Sequence, residues 1–274
     1  KFGEKKLGFP RGFIYKIIKK EDVFDVGSYL ETLDPKMRNI MRKVIIFGGL
    51  PETYTGVKNL WYLPKLPNEL KMLEKKLKEE VEKEYRKLIE KGKWVLLEKG
   101  DREGNRWLKR RKDFVLWSVD AVNELKKSKN ARWQGYDYYF MGGFSATNMS
   151  VESIKCRITP IAVVDHGAMA FFPIINICSP KYFIALLNAD LTTYFMKNFI
   201  NQSLNFELND FKLLPIVTPT ENQRKEIETL VNKAIVIQKK RYATKDEDEK
   251  SRLWQELQEV QRQIDRKIEE IYGI

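Results

Sequence analysis

The chain has 274 residues, 43% hydrophobic and 12% aromatic, enough for one sizeable core, or a core with a smaller helical appendage, and too apolar for a disordered tail. Its 50 Lys and Arg against 38 Asp and Glu leave +12, which favours a polyanion, nucleic acid first and a membrane surface second, over an acidic protein or a small neutral ligand. The longest apolar stretch, Ile158 to Ile177, is broken by Asp165 and His166, which argues against a membrane span, and Cys156 and Cys178 alone make neither a disulfide framework nor a four-thiolate metal site, as suits a reducing cytosol.

The chain opens at Lys1 without an initiator Met or an apolar leader, and it reads as a piece of something longer. Residues 1 to 67 mix β-type runs, Gly12 to Ile18 and Lys43 to Phe47, with glycine and proline punctuation, and one helix is expected near Pro35 to Arg42. From Asn68 to Lys91, Leu70, Leu73, Leu77, Val81, Tyr85 and Leu88 recur at the spacing of one helix face, which predicts a long amphipathic helix closed by Gly92. Strands are expected at Trp94 to Leu97, Phe114 to Trp117, Tyr136 to Phe140, Ile158 to Val164 and Ala168 to Phe172, with Asp165-His166-Gly167 as a tight hairpin turn. Pro180 to Asn198 reads as a helix and Asn205 to Leu214 as a compact bridging segment. After Pro219 two charged helices follow, Glu221 to Tyr242 and Glu247 to Tyr272. Their stripes are Ile227, Leu230, Ala234 and Ile237, then Leu253, Leu257, Val260, Ile264, Ile268 and Ile271, with Thr220 as N-cap of the first and a polar link at the hairpin tip. The expected fold is α+β: a mixed β-sheet recognition domain over 1–217 with an inserted long helix over 68–91, and a C-terminal antiparallel helical hairpin over 218–274.

Catalytic signatures are missing. The chain has no Pro-Pro, which excludes the Asn/Asp-Pro-Pro-aromatic loop of an adenine methyltransferase, and it lacks a phosphate-cradling Gly-x-x-x-x-Gly-Lys-Ser/Thr loop or a dinucleotide fingerprint. His166, the single histidine, sits in a turn, and Glu74-Lys75-Lys76 is the kind of triplet that a Lys/Glu-rich solvated helix face produces by chance. No catalytic residue, metal ligand or cofactor site is expected in these residues.

Two segments suit binding. Arg106-Trp-Leu-Lys-Arg-Arg-Lys112, with Arg102 before it, offers Arg106, Lys109, Arg110, Arg111 and Lys112 for phosphates or guanine and Trp107 for stacking; the plain alternative is a charge-protected strand edge. Arg132 to Ser150 sets Arg132, Trp133 and Tyr136 on an aromatic strand feeding a Gly-Gly loop that bears Ser145, Thr147, Asn148 and Ser150, short groups suited to base edges and phosphates; a plain β-hairpin needs fewer polar groups in a row. The long helix and the terminal hairpin carry charge of both signs, which points to protein packing.

Ser203-Leu-Asn-Phe-Glu-Leu-Asn-Asp-Phe-Lys-Leu-Leu-Pro-Ile216 resembles the Asn-Phe-Glu-x-x-Asp-hydrophobic-x-x-hydrophobic-Pro-hydrophobic segment of TaqI-like C-terminal specificity domains, found in type IIG restriction-modification enzymes and in BREX phage-defence adenine methyltransferases. Lys93-Trp94 to Trp117, the Tyr138-Tyr-Phe to Gly143-Phe-Ser loop and Val164 to Pro173 follow in that family's order, and Thr55-Gly56 resembles its early Thr-Gly loop; residues 68–91 look like an extra helix. The resemblance covers roughly 44–274. It implies a target-recognition domain that holds double-stranded DNA beside an N-terminal methyltransferase domain of the same parent chain, with the terminal helices packing against the rest of the enzyme. S-adenosylmethionine would belong to that parent, and Phe144-Ser145-Ala146 departs from the small polar or aromatic pair frequent after the loop glycine, so the target sequence does not transfer. The alternative from another class is a protein-interaction scaffold of a defence complex.

Overall fold

The computed structural model describes residues 14–15, 19–50, 70, 72–91, 93–101, 103–110, 112–128, 131, 133, 135–147, 153–165, 167–173, 178–203 and 205–274. These form an α+β protein of two compact units, one assembled from 1–99, 111–142 and 160–167, the other from 100–110, 143–159 and 168–274. The hairpin is part of the second unit, whose core its stripe completes.

In the first unit a four-stranded sheet has the order β1 (Ile14–Tyr15), β3 (Asp113–Leu116), β2 (Trp94–Glu98), β6 (Val163–Val164); β3 is antiparallel to β1 and β2, while β6 runs parallel to β2. Helices α1 (Val26–Glu31), α2 (Pro35–Phe47), α3 (Lys75–Lys91) and α4 (Val119–Lys127) belong to it. Asp34 caps α2 by accepting from the amides of Lys36 and Met37 at 2.9 and 3.1 Å, Pro35 opens the first turn, and Gly48 closes it at φ 70°, where an added Cβ would meet Val122 at 2.8 Å. These signals carry the helix through Val44, Ile45, Ile46 and Phe47, all buried, so the expected strand at 43–47 is the last part of α2: a β-branched run stays helical where caps and burial agree. The stripe packs as its spacing predicts, with Leu70, Val81, Tyr85 and Leu88 buried, but Met72 lies in a turn and α3 runs from Lys75; Asn68, Glu69, Lys71 and Gly92 lie outside the described residues. Trp117 centres an aromatic cluster, 5.7 Å from Trp133, 6.2 Å from Tyr139 and 6.0 Å from Phe140, and its indole N–H donates to the carbonyl of Ile45 at 2.8 Å. The expected strand at 136–140 is a 3-10 turn, set by left-handed Gly135 (φ 72°) and Phe140 (φ 58°).

In the second unit β4 (Gly143–Ala146) lies between β5 (Cys156–Thr159) and β7 (Met169–Phe171), antiparallel to both. The expected strand 158–164 is thus two strands in two sheets, parted by Pro160 to Ala162, and β6 and β7 do not pair with each other as a hairpin; His166 lies outside the described residues. The expected helix 180–198 divides at Ala189 into α5 (Pro180–Asn188) and α6 (Asp190–Phe195), the latter running into a π-turn over Met196–Ile200. The side chain of Asn188 accepts from the amide of Cys156 and donates to its carbonyl, both at 2.8 Å, and so ties α5 to β5.

The bridging segment contains α7 (Leu208–Phe211), with Glu207 and Asp210 forming a capping box. The hairpin is α8 (Glu221–Ala243) and α9 (Glu247–Tyr272), and Thr220 caps α8 reciprocally with Gln223. Ile227, Val231, Ala234 and Ile237 of α8 are buried with Leu253, Leu257, Val260, Ile264 and Ile268 of α9; Val231 rather than Leu230 takes the second position. Each large apolar side chain buried this way stabilises the fold by about 1.5–3 kcal/mol. Among the described residues, no helix is long and apolar enough to cross a membrane.

Candidate nucleic-acid interface

The division between the units falls inside both segments expected to bind: 106–110 belong to the second unit and Lys112 to the first, and the cut recurs between Gly142 and Gly143. Arg102, Arg111, Arg132, Asn148 and Ser150 lie outside the described residues, as do the Thr55-Gly56 resemblance and most of the 12–18 run.

Around residue 107 the chain is held at the backbone. Asp101, nearly buried, accepts from the amides of Glu103 and Asn105, both at 3.1 Å, which bends the approach. Trp107 then adopts φ 68°, rare for a bulky residue; its amide donates to the carbonyl of Cys156 at 3.0 Å and its carbonyl accepts from Ile158 at 3.1 Å, a bridge along β5 that holds the conformation. Its indole is 1% exposed within the core, so Trp107 is not available to stack on a base as the chain is folded. The neighbours differ. Arg106 donates to the hydroxyl of Ser153 at 2.8 Å and is half-buried, Lys109 is half-buried, and Arg110 and Lys112 are exposed.

Leu108 anchors the segment to the hairpin. Its carbonyl accepts from the Tyr242 hydroxyl at 2.9 Å, and the Arg110 guanidinium lies 6.0 Å from the Tyr242 ring centre. Burial pushes the Tyr242 hydroxyl above its ordinary pKa, a hydrogen bond from Gln238 and the charge of Arg241 oppose that rise, and Asp101 and Glu103 add to it.

The second segment is differently placed. Ser145 lies in the central strand β4, 0% exposed, opposite Arg157 on β5 and Ala170 on β7, and is not a loop residue. Thr147 is nearly buried; its hydroxyl accepts from the buried Arg157 guanidinium at 3.1 Å. Trp133 is 2% exposed and donates to the carbonyl of Leu125 at 3.4 Å, while Tyr136 is half-buried with its ring 6.1 Å from Phe47. Trp133 and Tyr136 therefore pack in the first unit's core, and Ser145 and Thr147 are buried in the second unit. Cys156, also buried, has its thiol pushed up to about 12 by burial and is inert.

A feature that sequence reasoning missed is a run of exposed apolar side chains in the second unit: Tyr194, Phe199, Leu208, Leu213, Ile216, Val217 and Ile274. A 140 Å³ apolar cavity in the same unit is lined by Phe195, Leu214, Pro215 and Ile274. The signal was present in the sequence, since Lys212-Leu-Leu-Pro-Ile-Val217 has more apolar positions than a short bridge can bury. Among the described residues, no group of three or more His, Cys, Asp or Glu side chains is placed to hold a metal ion. No family model matches the chain, and no curated protein matches it.

Proposed function

We propose that the chain is the specificity segment of a larger adenine-specific DNA methyltransferase of the restriction-modification or phage-defence kind, recognising duplex DNA in the cytoplasm, with methyl transfer from S-adenosylmethionine residing elsewhere in the parent. The observation that carries this reading is the anchoring of the basic segment. Backbone bonds to β5 and Tyr242 fix residues 107 and 108 while Arg110 stays exposed, so little further ordering is needed when phosphates are bound. The motif resembling the specificity domains supports it. Its apolar members Phe206, Phe211 and Leu214 are buried and its Glu207 and Asp210 form the α7 capping box, so each part of the motif has a place in the fold.

The exposed apolar run favours a protein neighbour, which in this reading is the N-terminal methyltransferase domain of the parent chain. The same run supports the second reading, a protein-interaction module of a defence complex whose positive charge is incidental. Salt dependence separates them. Neutralising Arg106, Arg110 and Arg111 together to Gln is expected to weaken duplex binding and to lower the slope of log affinity against log salt by about one unit per lost phosphate contact. Unchanged affinity and slope would remove the segment from the interface and leave the protein-interaction reading.

A further inference from the structure

Charge along the terminal hairpin is distributed unevenly. The acidic residues of α8 are Glu221, Glu226 and Glu228, and from Thr229 to Lys245 the chain carries Lys233, Lys239, Lys240, Arg241 and Lys245 without a single Asp or Glu. Ion pairs run along the hairpin: Lys225 with Glu221 (2.9 Å) and Lys267 with Glu226 (3.0 Å) far from the turn, Arg262 with Glu259 (2.6 Å) and Lys233 with Glu256 (4.0 Å) nearer its middle. Lys239 and Lys240 are exposed, and among the described residues neither they nor Arg241 has a carboxylate at ion-pair distance. The acidic residues across the turn are occupied: Asp246 caps α9, Glu247 pairs with Lys250 at 2.5 Å, and Glu249 accepts from Thr244 and lies 3.9 Å from Arg252, which leaves Asp248.

Basic residues in a last helical turn are ordinarily explained by the helix dipole. Two observations go beyond it. The Tyr242 hydroxyl, held between buried Gln238 and the carbonyl of Leu108, brings the 106–110 segment to this same end of α8, with Arg110 against the Tyr242 ring. The Arg241 guanidinium lies 4.9 Å over the ring of Trp254, an indole that is 47% exposed; its Nε is buried, and a guanidinium stacked in this way binds a phosphate through its terminal nitrogens.

We infer that the turn end of the hairpin and the 106–110 segment form one phosphate-binding surface for duplex DNA, in which Lys239, Lys240 and Arg241 extend the contact begun by Arg110. The inference rests on the DNA-recognition reading above. It assigns the turn end of the hairpin, and not its full length, to DNA.

The test titrates the full chain with a labelled duplex of arbitrary sequence, roughly 20–30 base pairs, across about 50–200 mM salt. Lys239→Gln/Lys240→Gln/Arg241→Gln is expected to lower affinity roughly 10- to 100-fold near 0.1 M salt and the slope by about two to three units. Lys225→Gln/Arg262→Gln/Lys267→Gln removes equal charge from the same hairpin and is expected to change affinity less than about threefold. Lys240→Gln alone, exposed and harmless to the fold, is expected to lower the slope by about one unit. Equal losses from the two triple variants would reduce the effect to net charge and overturn the inference. So would parental affinity of the turn-end variants, the result expected if that end meets an acidic protein. If the turn-end variant binds normally while neutralising Arg106, Arg110 and Arg111 weakens binding, the inference alone fails; if both bind normally, the DNA reading fails with it. A loss from the turn end without one from 106–111 also breaks the joined surface.

Discussion

Two segments flank β5 in the second unit, Gly143–Thr147 on one edge and the Trp107 bridge on the other, and they meet opposite fates. Both mix aromatic with polar residues, and both look suited to nucleic acid. Yet β4 has strand partners on each side, which enclose Ser145 completely, whereas the 106–110 segment touches β5 through Trp107 alone and keeps Arg110 in solvent. The number of strand neighbours decides exposure, and residue chemistry adapts to it: short Ser and Thr fit a crowded sheet interior as readily as they fit a base edge.

The comparison breaks most visibly at Trp107. Trp107→Ala is expected to destabilise by about 3–5 kcal/mol, the loss typical of a buried large aromatic, and a thermal melt reads it directly. A variant that melts like the parent but loses DNA would put Trp107 on the interface instead. Gly143→Ala comes next, because an added Cβ would lie 2.2 Å from the carbonyl oxygen of Phe171; overpacking of about 2–3 kcal/mol is expected, seen as a lower urea midpoint. A neutral result there would mean that β4 and β7 are not closely paired. The smallest effect belongs to Thr147→Val, which removes the acceptor for buried Arg157 and should cost about 1–2 kcal/mol while leaving the salt slope of DNA binding unchanged. A changed slope with unaltered stability would return Thr147 to the interface.

What was legible in the sequence follows the same logic. The hairpin boundaries, the Thr220 cap, β2, β3 and β7 could be read because period and punctuation agree locally with the tertiary result. Val44 to Phe47 could not be read from β-branching, although Asp34-Pro35 and Gly48 together mark a single 13-residue helix. Tyr136 to Phe140 looked extended, but Gly135 and a left-handed Phe140 turn it, and only packing against the first unit's core selects that conformation. Of the residues expected to bind, the cations Arg110 and Lys112 are exposed, while Trp107, Trp133 and Ser145 are buried, since a hydroxyl or an indole N–H is far cheaper to take out of water than a full charge.

The interleaving of the two units also bears on how the chain is made. All segments of the first unit have left the ribosome once residue 167 has emerged, with 100–110 and 143–159 as loops awaiting partners, whereas the second core still lacks Ile264 and Ile268 at that point. Replacement of one continuous stretch, for example 93–142, would disturb parts of both cores at once, so point changes on displayed side chains, or replacement of nearly the whole chain, are the changes that leave both cores intact.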